Sequence, residues 1–329
     1  MEKNQRIEIS SKTIIFTILF FLFLKFIWLM KDLVFSLVIA FIIMSAVRPV
    51  VAFLEKKRIP RPVSASIIFL FILFSVVYLL VAWLPPTIFE LSLFLKNLPF
   101  IIEKISPNFA ATIDINALAN YLPNITNQIW KLVAGFFSNT VFVLSTFFFS
   151  FYFTIEENFI KKLLIKFASE DKAGQIADIF ETVERRLGRW VWGELILMLV
   201  VGFLTYIGLI LIGIKYALPL AVVAGLLEVV PNLGPVVATV PAVFVTLSQS
   251  YLLVIPVVVL YFVVQQLENN LIVPYVMKKA VGLHPIITLL ALIVGGRVGG
   301  VLGILLAVPI TIFLETILIE VVQKKTQSS

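Results

Sequence analysis

The feature that most constrains this chain is a series of apolar runs, each long enough to cross a lipid bilayer. The hydrocarbon core of a bilayer is about 30 Å thick, so a helical span needs about 20 mostly apolar residues. Such runs occupy residues 14–30, 33–53, 63–84, 130–153, 190–214, 217–247, 251–277 and 286–313. Because a helix satisfies its own backbone hydrogen bonds in lipid, the pattern predicts an all-α polytopic membrane protein with about eight transmembrane helices.

Composition agrees and narrows the class of function. Hydrophobic residues make up 60% of the chain and the mean hydropathy is +1.07, whereas a soluble domain has about 45–50% apolar residues. The net charge of +7 comes from short basic clusters between apolar runs, which favours a role in membrane orientation and argues against a nucleic-acid partner. With no cysteine and one histidine, the sequence predicts no metal centre and no cofactor. It also predicts no enzyme, because no Ser/His, paired-acid or metal arrangement converges at membrane depth.

The runs divide the chain into five parts. Residues 1–84 hold spans one to three, and 85–129 form an extracytoplasmic amphipathic segment. Residues 130–153 are the fourth span, 154–189 a cytoplasmic amphipathic helical connector, and 190–329 carry spans five to eight with the proposed transport site. The basic loop 55–61 places both termini in the cytoplasm by the positive-inside rule, and we expect the cell membrane as the location.

The sixth span contains residues that break a helix. Glu228, Pro231, Asn232, Gly234 and Pro235 lie inside this apolar run. Proline has no N–H to donate, so the span should break here, as in the discontinuous helices of transporters. A plain proline kink with a buried, hydrogen-bonded glutamate is the alternative.

The seventh span carries a polar patch that consists of Gln265, Gln266, Glu268, Asn269 and Asn270. So many polar groups cannot face lipid, so they should line the bundle interior or a cavity. Alternatively, the span ends early and they lie among the lipid headgroups.

We expect the sixth-span break and the seventh-span patch to share a cavity at comparable depth. Glu228 and Glu268 are the candidates for proton or cation coupling, because a carboxylate at membrane depth marks an ion pathway. Hydrogen bonds to a polar solute, or ligands to an ion, would come from Asn232, Gln266, Asn269 and Asn270.

Two further spans carry charged groups or glycines at membrane depth. Glu194 lies about one turn inside the fifth span, where a carboxylate needs a partner. Gly295, Gly299 and Gly303 have the small-residue spacing that lets helices pack closely. Arg297 lies among them, either paired with an acid in a straight eighth span or at the tip of a hairpin. The sequence leaves both arrangements open.

Several motifs, in this order, resemble the autoinducer-2 exporter family over nearly the whole chain. They are Pro49 to Arg61, Gly193-Glu194, the set Glu228, Pro231, Gly234, Pro235 and Pro241, the set Glu268, Asn269, Asn270 and Pro274, Leu283-His284-Pro285, and Ala307-Val308-Pro309. Arg297 departs from the family pattern, so its role is not carried over. The resemblance implies secondary transport by a homo-oligomer, with export of a small polar signalling molecule in some members and sodium/proton antiport in others.

Three hypotheses follow for function. The first is a secondary transporter that exports a small polar, autoinducer-2-like solute with proton coupling. The second is a Na⁺(Li⁺)/H⁺ antiporter. The third, from another class, is a membrane scaffold that does not transport and recruits partners through the helix at 161–189.

Overall fold

The computed structural model describes residues 30–78, 139–157, 159–231, 233–277 and 283–327, with short stretches at 16–17, 19–20, 22–23, 25–26, 81–82 and 131. The predicted extracytoplasmic segment and most of the first span lie outside these residues. The described helices are α1 (Lys31–Lys56), α2 (Arg61–Tyr78), α3 (Thr140–Ile155), α4 (Phe159–Leu164), α5 (Glu170–Ile212), α6 (Ala217–Leu227), α7 (Leu233–Gln249), α8 (Val254–Leu267), α9 (Val273–Val276) and α10 (Pro285–Gln327).

The predicted all-α polytopic architecture is confirmed. Within the described residues, five helical stretches are long and apolar enough to cross a membrane: Lys31–Lys56, Arg61–Tyr78, Glu170–Ile212, Tyr251–Val276 and Ile286–Val322. Helices α3, α6 and α7 are also apolar but shorter. Large apolar side chains are exposed along most of these helices, as expected where lipid replaces water as the surrounding medium.

Helix α5 is a long central helix that packs against several others. Its 43 residues correspond to a length of about 65 Å, roughly twice the hydrocarbon thickness. The helix runs without interruption from the charged stretch that begins at Glu170 into the apolar span that ends at Ile212. It contacts α1, α6, α8 and α10.

Small residues allow these neighbours to approach α5 closely. A side chain at Gly188 would meet the Ser45 carbonyl of α1, and one at Gly225 of α6 would meet the Met198 carbonyl of α5 at 2.6 Å. The indole N–H of Trp192 donates to the Ala46 carbonyl at 3.0 Å. Close backbone contact of this kind holds helices together where lipid removes the hydrophobic driving force.

The sixth span is broken, as predicted, and its halves form a helical hairpin. Helix α6 ends at Leu227, α7 begins at Leu233, and the two pack against each other. Ala217, Ala224, Ala238 and Val245 belong to one buried cluster that also includes residues of α5 and α8. The alternative of a simple proline kink is therefore wrong.

The last segment also folds back on itself, at Gly300. That glycine has φ 58° and ψ −136°, a conformation that side chains other than glycine rarely adopt. A Cβ at Gly295 would meet the Gly303 carbonyl, and the Ala307 Cβ would lie 3.3 Å away. In a straight helix Ala307 would be about 18 Å from Gly295, so the chain forms a hairpin and not a straight eighth span.

Candidate functional site

Three glutamates from three different elements meet in the interior. Glu194 lies on α5, Glu228 directly follows α6, and Glu268 begins a π-helical turn, Glu268–Ile272, after α8. Their exposed fractions are 5%, 1% and 4%. We refer to Glu194, Glu228 and Glu268 as the acidic site.

The acidic site contains two carboxyl groups within hydrogen-bonding reach of each other, those of Glu228 and Glu268. Glu194 is close enough for its charge to act on both. Two carboxyl groups can form a hydrogen bond only if one of them carries a proton, because an ionised carboxylate only accepts. The arrangement can therefore hold a proton between two helices.

The remaining oxygens of the acidic site are incompletely satisfied. The Gln265 amide donates to Glu268 Oε2 at 3.2 Å. Glu194 Oε1 and Glu228 Oε2 are buried and have no hydrogen-bond partner within the described part of the chain. A buried oxygen without a partner is costly, so these two atoms are available to a proton, a cation or a polar solute.

Local sequence explains why Glu228 points inward. The Val230 N–H donates to the Leu227 carbonyl at 3.0 Å, and the Gly234 N–H donates to the Val230 carbonyl at 2.9 Å, which closes the turn after α6. A side chain at Gly234 would collide with the Leu227 carbonyl. Only glycine fits here, and the tight turn holds the Glu228 carboxyl against its neighbours.

The face of α8 that packs into the bundle continues to Glu268. Val257, Tyr261 and Val264 are buried at the spacing of one helical face, and Glu268 extends that face. The π turn then adds a residue to the helical period, a feature that is frequent at functional sites.

Three predicted solute ligands lie elsewhere. Gln266, Asn269 and Asn270 are exposed on the surface of the single chain, because they flank the buried face that carries Glu268. Pro231 is half-buried and Gly234 and Pro235 are buried in the hairpin turn, whereas Asn232 lies outside the described residues. The structure thus brings Glu228 and Glu268 together but does not bring the exposed amides to them.

Glu194 and Arg297, the two charged residues expected to need a partner at membrane depth, lie in different parts of the structure. Glu194 joins the other two acids, a grouping that spacing along the sequence did not reveal. Gly193 beside it leaves room for Met277, whose sulfur would be 2.6 Å from a Cβ at that position. Arg297 is exposed near the hairpin tip and belongs to none of the ion pairs among the described residues.

The predicted packing glycines contact two different partners. Gly295 and Gly303 face each other across the last hairpin. Gly299, next to the turn, lies against the Phe35 ring of α1.

A network of arginines, not predicted from the sequence, lies in the polar part of the bundle, which we call the charged end (residues 48–61, 156–157, 159–166 and 170–189). Arg48 binds Glu184 at 2.5 Å and donates to the Phe153 and Glu156 carbonyls at 2.8 and 3.0 Å. Arg61 donates to the Thr154 carbonyl at 3.0 Å. The two side chains thus cap the carboxyl end of α3. Arg48 next to Pro49 within an apolar run was the available signal.

The fold and the acidic site define a polytopic membrane protein whose interior holds carboxyl groups that form no ion pair among the described residues. Comparison with known protein families matches residues 14–323 to the family described as AI-2E family transporter. The chain belongs to this family, as the sequence motifs predicted.

Individual relatives agree with this assignment. The chain is 26% identical to "Putative transport protein YrrI" of Bacillus subtilis (strain 168), over 95% of each protein. It is 28% identical to "Putative transport protein YueF" of the same strain, over 92% of this chain and 88% of YueF. It is 25% identical to "Putative transport protein YhhT" of Escherichia coli (strain K12), over 87% of this chain and 85% of YhhT. Family and relatives indicate a membrane transporter or permease rather than an enzyme.

Proposed function

We propose that the protein is a secondary transporter that exports a small polar, autoinducer-2-like solute in exchange for protons, with Glu228 and Glu268 as the proton-binding pair. The observation that carries this proposal is the meeting of three buried acids that have no basic partner among the described residues. Among the described residues, no Lys, Arg or His forms an ion pair with any of them. Buried carboxylates without a cation are strongly disfavoured, so the acidic site must acquire positive charge from a proton or an ion.

The elements that carry the acids also support movement. Glu228 lies at the turn of the α6–α7 hairpin and Glu268 at a π turn. Interrupted helices of this kind carry substrate and ion sites in transporters, where one bundle moves against another. A proton shared between the two turns would hold them together, and its release would let them separate.

Two uncharged polar groups on the helices that lead to the acidic site suit a polar solute, at about 16 Å along α5 from Glu194 and about 10 Å along α8 from Glu268. The Thr205 and Tyr261 hydroxyls are buried without a hydrogen-bond partner within the described residues. Thr205 lies on the face of α5 that carries Glu194, and Tyr261 lies on the face of α8 that leads to Glu268. A sugar or diol could satisfy both hydroxyls.

The test is a flux assay in sealed proteoliposomes with imposed pH gradients, using a panel of small sugars and diols. We expect uptake or efflux of at least one compound to follow the pH gradient. Glu228→Gln should abolish this coupling and Glu181→Gln, an exposed acid on α5, should not. Equal coupling in wild type and Glu228→Gln would contradict the proposal.

Na⁺(Li⁺)/H⁺ antiport is the second candidate, and the two unpartnered oxygens favour it. Glu194 Oε1 and Glu228 Oε2 are carboxyl oxygens that could bind a monovalent cation in place of a proton. The same vesicles with a sodium or lithium gradient and no organic solute distinguish the two. Proton movement driven by sodium alone supports antiport, and its absence with solute-driven proton movement supports export.

We also propose that both termini face the cytoplasm and that the protein is located in the cell membrane. The basic residues of the charged end support this orientation through the positive-inside rule. Because the chain has no cysteine, a Lys57→Cys variant offers a single labelling site. A membrane-impermeant thiol reagent should label it in inverted vesicles and not in intact cells.

A homo-oligomer is part of the proposal. Gln266, Asn269 and Asn270 are exposed on the single chain within the apolar stretch Tyr251–Val276, where amides facing lipid would be unsatisfied. A neighbouring copy of the chain would cover them. Native mass spectrometry should give a defined oligomer that Asn269→Leu combined with Asn270→Leu weakens, and a monomeric wild type would contradict it.

A further inference from the structure

A large cavity lies at the charged end, apart from the acidic site. It is half open, is lined by residues of α1, α3, α4, α5 and α10 and by Arg61 at the start of α2, and has a volume of about 1530 Å³. None of the three glutamates of the acidic site lines it. Pockets for small ligands usually measure about 300–1,000 Å³, so this cavity has room for a longer molecule than a small polar solute.

The inner wall of the cavity is apolar and aromatic. Phe41, Phe180 and Phe313 meet edge to face, with ring centroids 5.8–6.2 Å apart. Gly174 also lines the cavity, and a Cβ built there would have no atom within 4 Å. The open position at Gly174 and the phenylalanine rings line the same cavity, and the aromatic wall favours a hydrocarbon chain over a hydrated solute.

The lining of the cavity contains five basic and five acidic residues, and three of the basic ones, Lys161, Lys162 and Lys166, are grouped on one short segment at its exposed edge, the mouth. Three basic residues of the lining are neutralised by acids, in the pairs Arg48–Glu184, Arg61–Glu157 and Lys162–Glu156. Lys161 and Lys166 belong to none of the ion pairs among the described residues, and Glu181 is paired with Arg185. Asp178 also lines the cavity and belongs to none of these ion pairs, so two lysines, on α4 and its following turn, and one aspartate of α5 stay outside the pairs.

The segment that supplies these lysines has the composition of a membrane-surface segment. Residues 159–167 contain three lysines and no acid. Phe159, Leu163, Ile165 and Phe167 are nonetheless exposed, Phe167 by 84%. A basic segment with exposed apolar side chains lies at the headgroup level of a bilayer and attracts anionic lipids.

We propose that this cavity binds an anionic phospholipid, with an acyl chain against the phenylalanine wall and the phosphate at Lys161 and Lys166. The aromatic wall accounts for the hydrocarbon chain, and the lysines grouped at the mouth account for the charge. The exposed apolar residues of 159–167 place the mouth where a lipid of the surrounding leaflet can enter. The site is independent of the transport reaction proposed above.

The test measures lipid binding to the purified, delipidated full-length protein by native mass spectrometry. The probes are dioleoyl phosphatidylglycerol, dioleoyl phosphatidylcholine with the same acyl chains, and glycerol phosphate as the free head group. We expect wild type to bind phosphatidylglycerol at least tenfold more tightly than phosphatidylcholine and glycerol phosphate only weakly. Removing two lysines near an anionic head group should weaken binding about 30-fold, so Lys161→Gln combined with Lys166→Gln should show this loss.

Two further variants make the result specific to the cavity. Lys172→Gln removes a lysine that is exposed on α5 but does not line the cavity, and it should bind like wild type. Gly174→Phe places a ring in the open space and should reduce binding of phosphatidylglycerol while the lysines remain. Equal binding of the two phospholipids, equal loss in Lys172→Gln and the double lysine variant, or glycerol phosphate binding as tightly as the lipid would each overturn the proposal.

Discussion

The acidic site and the charged end differ in how their buried charged groups are paired. At the charged end partly buried arginines have acids as partners. Arg48 binds Glu184 and the Phe153 and Glu156 carbonyls, and Arg186 binds Glu315 and the Thr316 hydroxyl. At the acidic site, three more deeply buried carboxyl groups face each other. Ion pairs between opposite charges can stabilise the fold. Like charges that are close together in the interior destabilise it, and such clusters are typical of functional sites.

The largest effect is expected from variants that remove a carboxyl group from the acidic site. Glu228→Gln or Glu268→Gln keeps the shape of the side chain but removes the group that binds and releases a proton. We expect coupled flux in proteoliposomes to fall to background in both variants.

The fold provides the control for these variants. Because replacing a buried acid by an amide removes like-charge repulsion, thermal unfolding in detergent should occur at or above the wild-type temperature. A strong loss of thermal stability in both variants would instead assign the glutamates a structural role, as in a membrane scaffold that does not transport.

At the charged end the same kind of change should affect stability and not flux. Arg48→Ala leaves Glu184 without its base and uncaps the carboxyl end of α3. Because both side chains are about a fifth exposed, we expect a cost of about 2–3 kcal/mol, less than for a fully buried pair.

A double-mutant cycle with Glu184→Gln measures the coupling energy of that pair. Flux per folded Arg48→Ala molecule should stay near the wild-type value. If flux disappeared while stability was unchanged, the distinction between the two regions would fail.

Replacing one glycine by alanine in each region compares the two regions with a smaller structural change. Gly234→Ala forces a methyl group onto the Leu227 carbonyl at the turn that holds Glu228, so we expect destabilisation of about 1–3 kcal/mol and reduced flux. Gly174→Ala at the charged end has open space and should stabilise α5 by up to about 1 kcal/mol. Unfolding temperatures of both variants check this, and a tolerated Gly234→Ala would contradict the described turn.

The smallest effect is expected from the neighbour of Glu268. Gln265→Leu removes the amide that donates to Glu268 Oε2, a hydrogen bond worth about 1 kcal/mol or somewhat more to a charged acceptor. Flux should decrease by about tenfold or less and the pH profile should shift. Glu181→Gln, at an exposed acid of α5 outside the acidic site, is the control and should leave the pH profile unchanged.

The sequence predicted what depends on local chemistry. The break after Glu228 follows from Pro231 and Gly234, and the common depth of Glu228 and Glu268 follows from counting residues along two spans. The sequence did not decide between a straight last span and a hairpin, because glycines at every fourth position are compatible with both. Only the backbone conformation of Gly300 distinguishes them.

What the sequence did not predict depends on tertiary packing. Glu194 reaches the acidic site because the crossing of α5 with its neighbours sets its depth, and no spacing rule gives that crossing. Gln266 on α8, and Asn269 and Asn270 in the π turn, point outward because they flank the buried face that carries Glu268. Polar patterning alone does not distinguish this π turn from an ordinary helix. The Arg48–Glu184 pair joins residues 136 positions apart, which a single sequence does not connect.

The most direct test of the central claim records proton movement with a pH-sensitive dye trapped in proteoliposomes while a gradient of transported solute or sodium is imposed. Wild type should move protons in step with the imposed gradient. Glu228→Gln and Glu268→Gln, verified as folded, should move none, and Glu181→Gln should match wild type. Proton movement retained at the wild-type rate in both glutamine variants would contradict the claim that this buried pair is the coupling site.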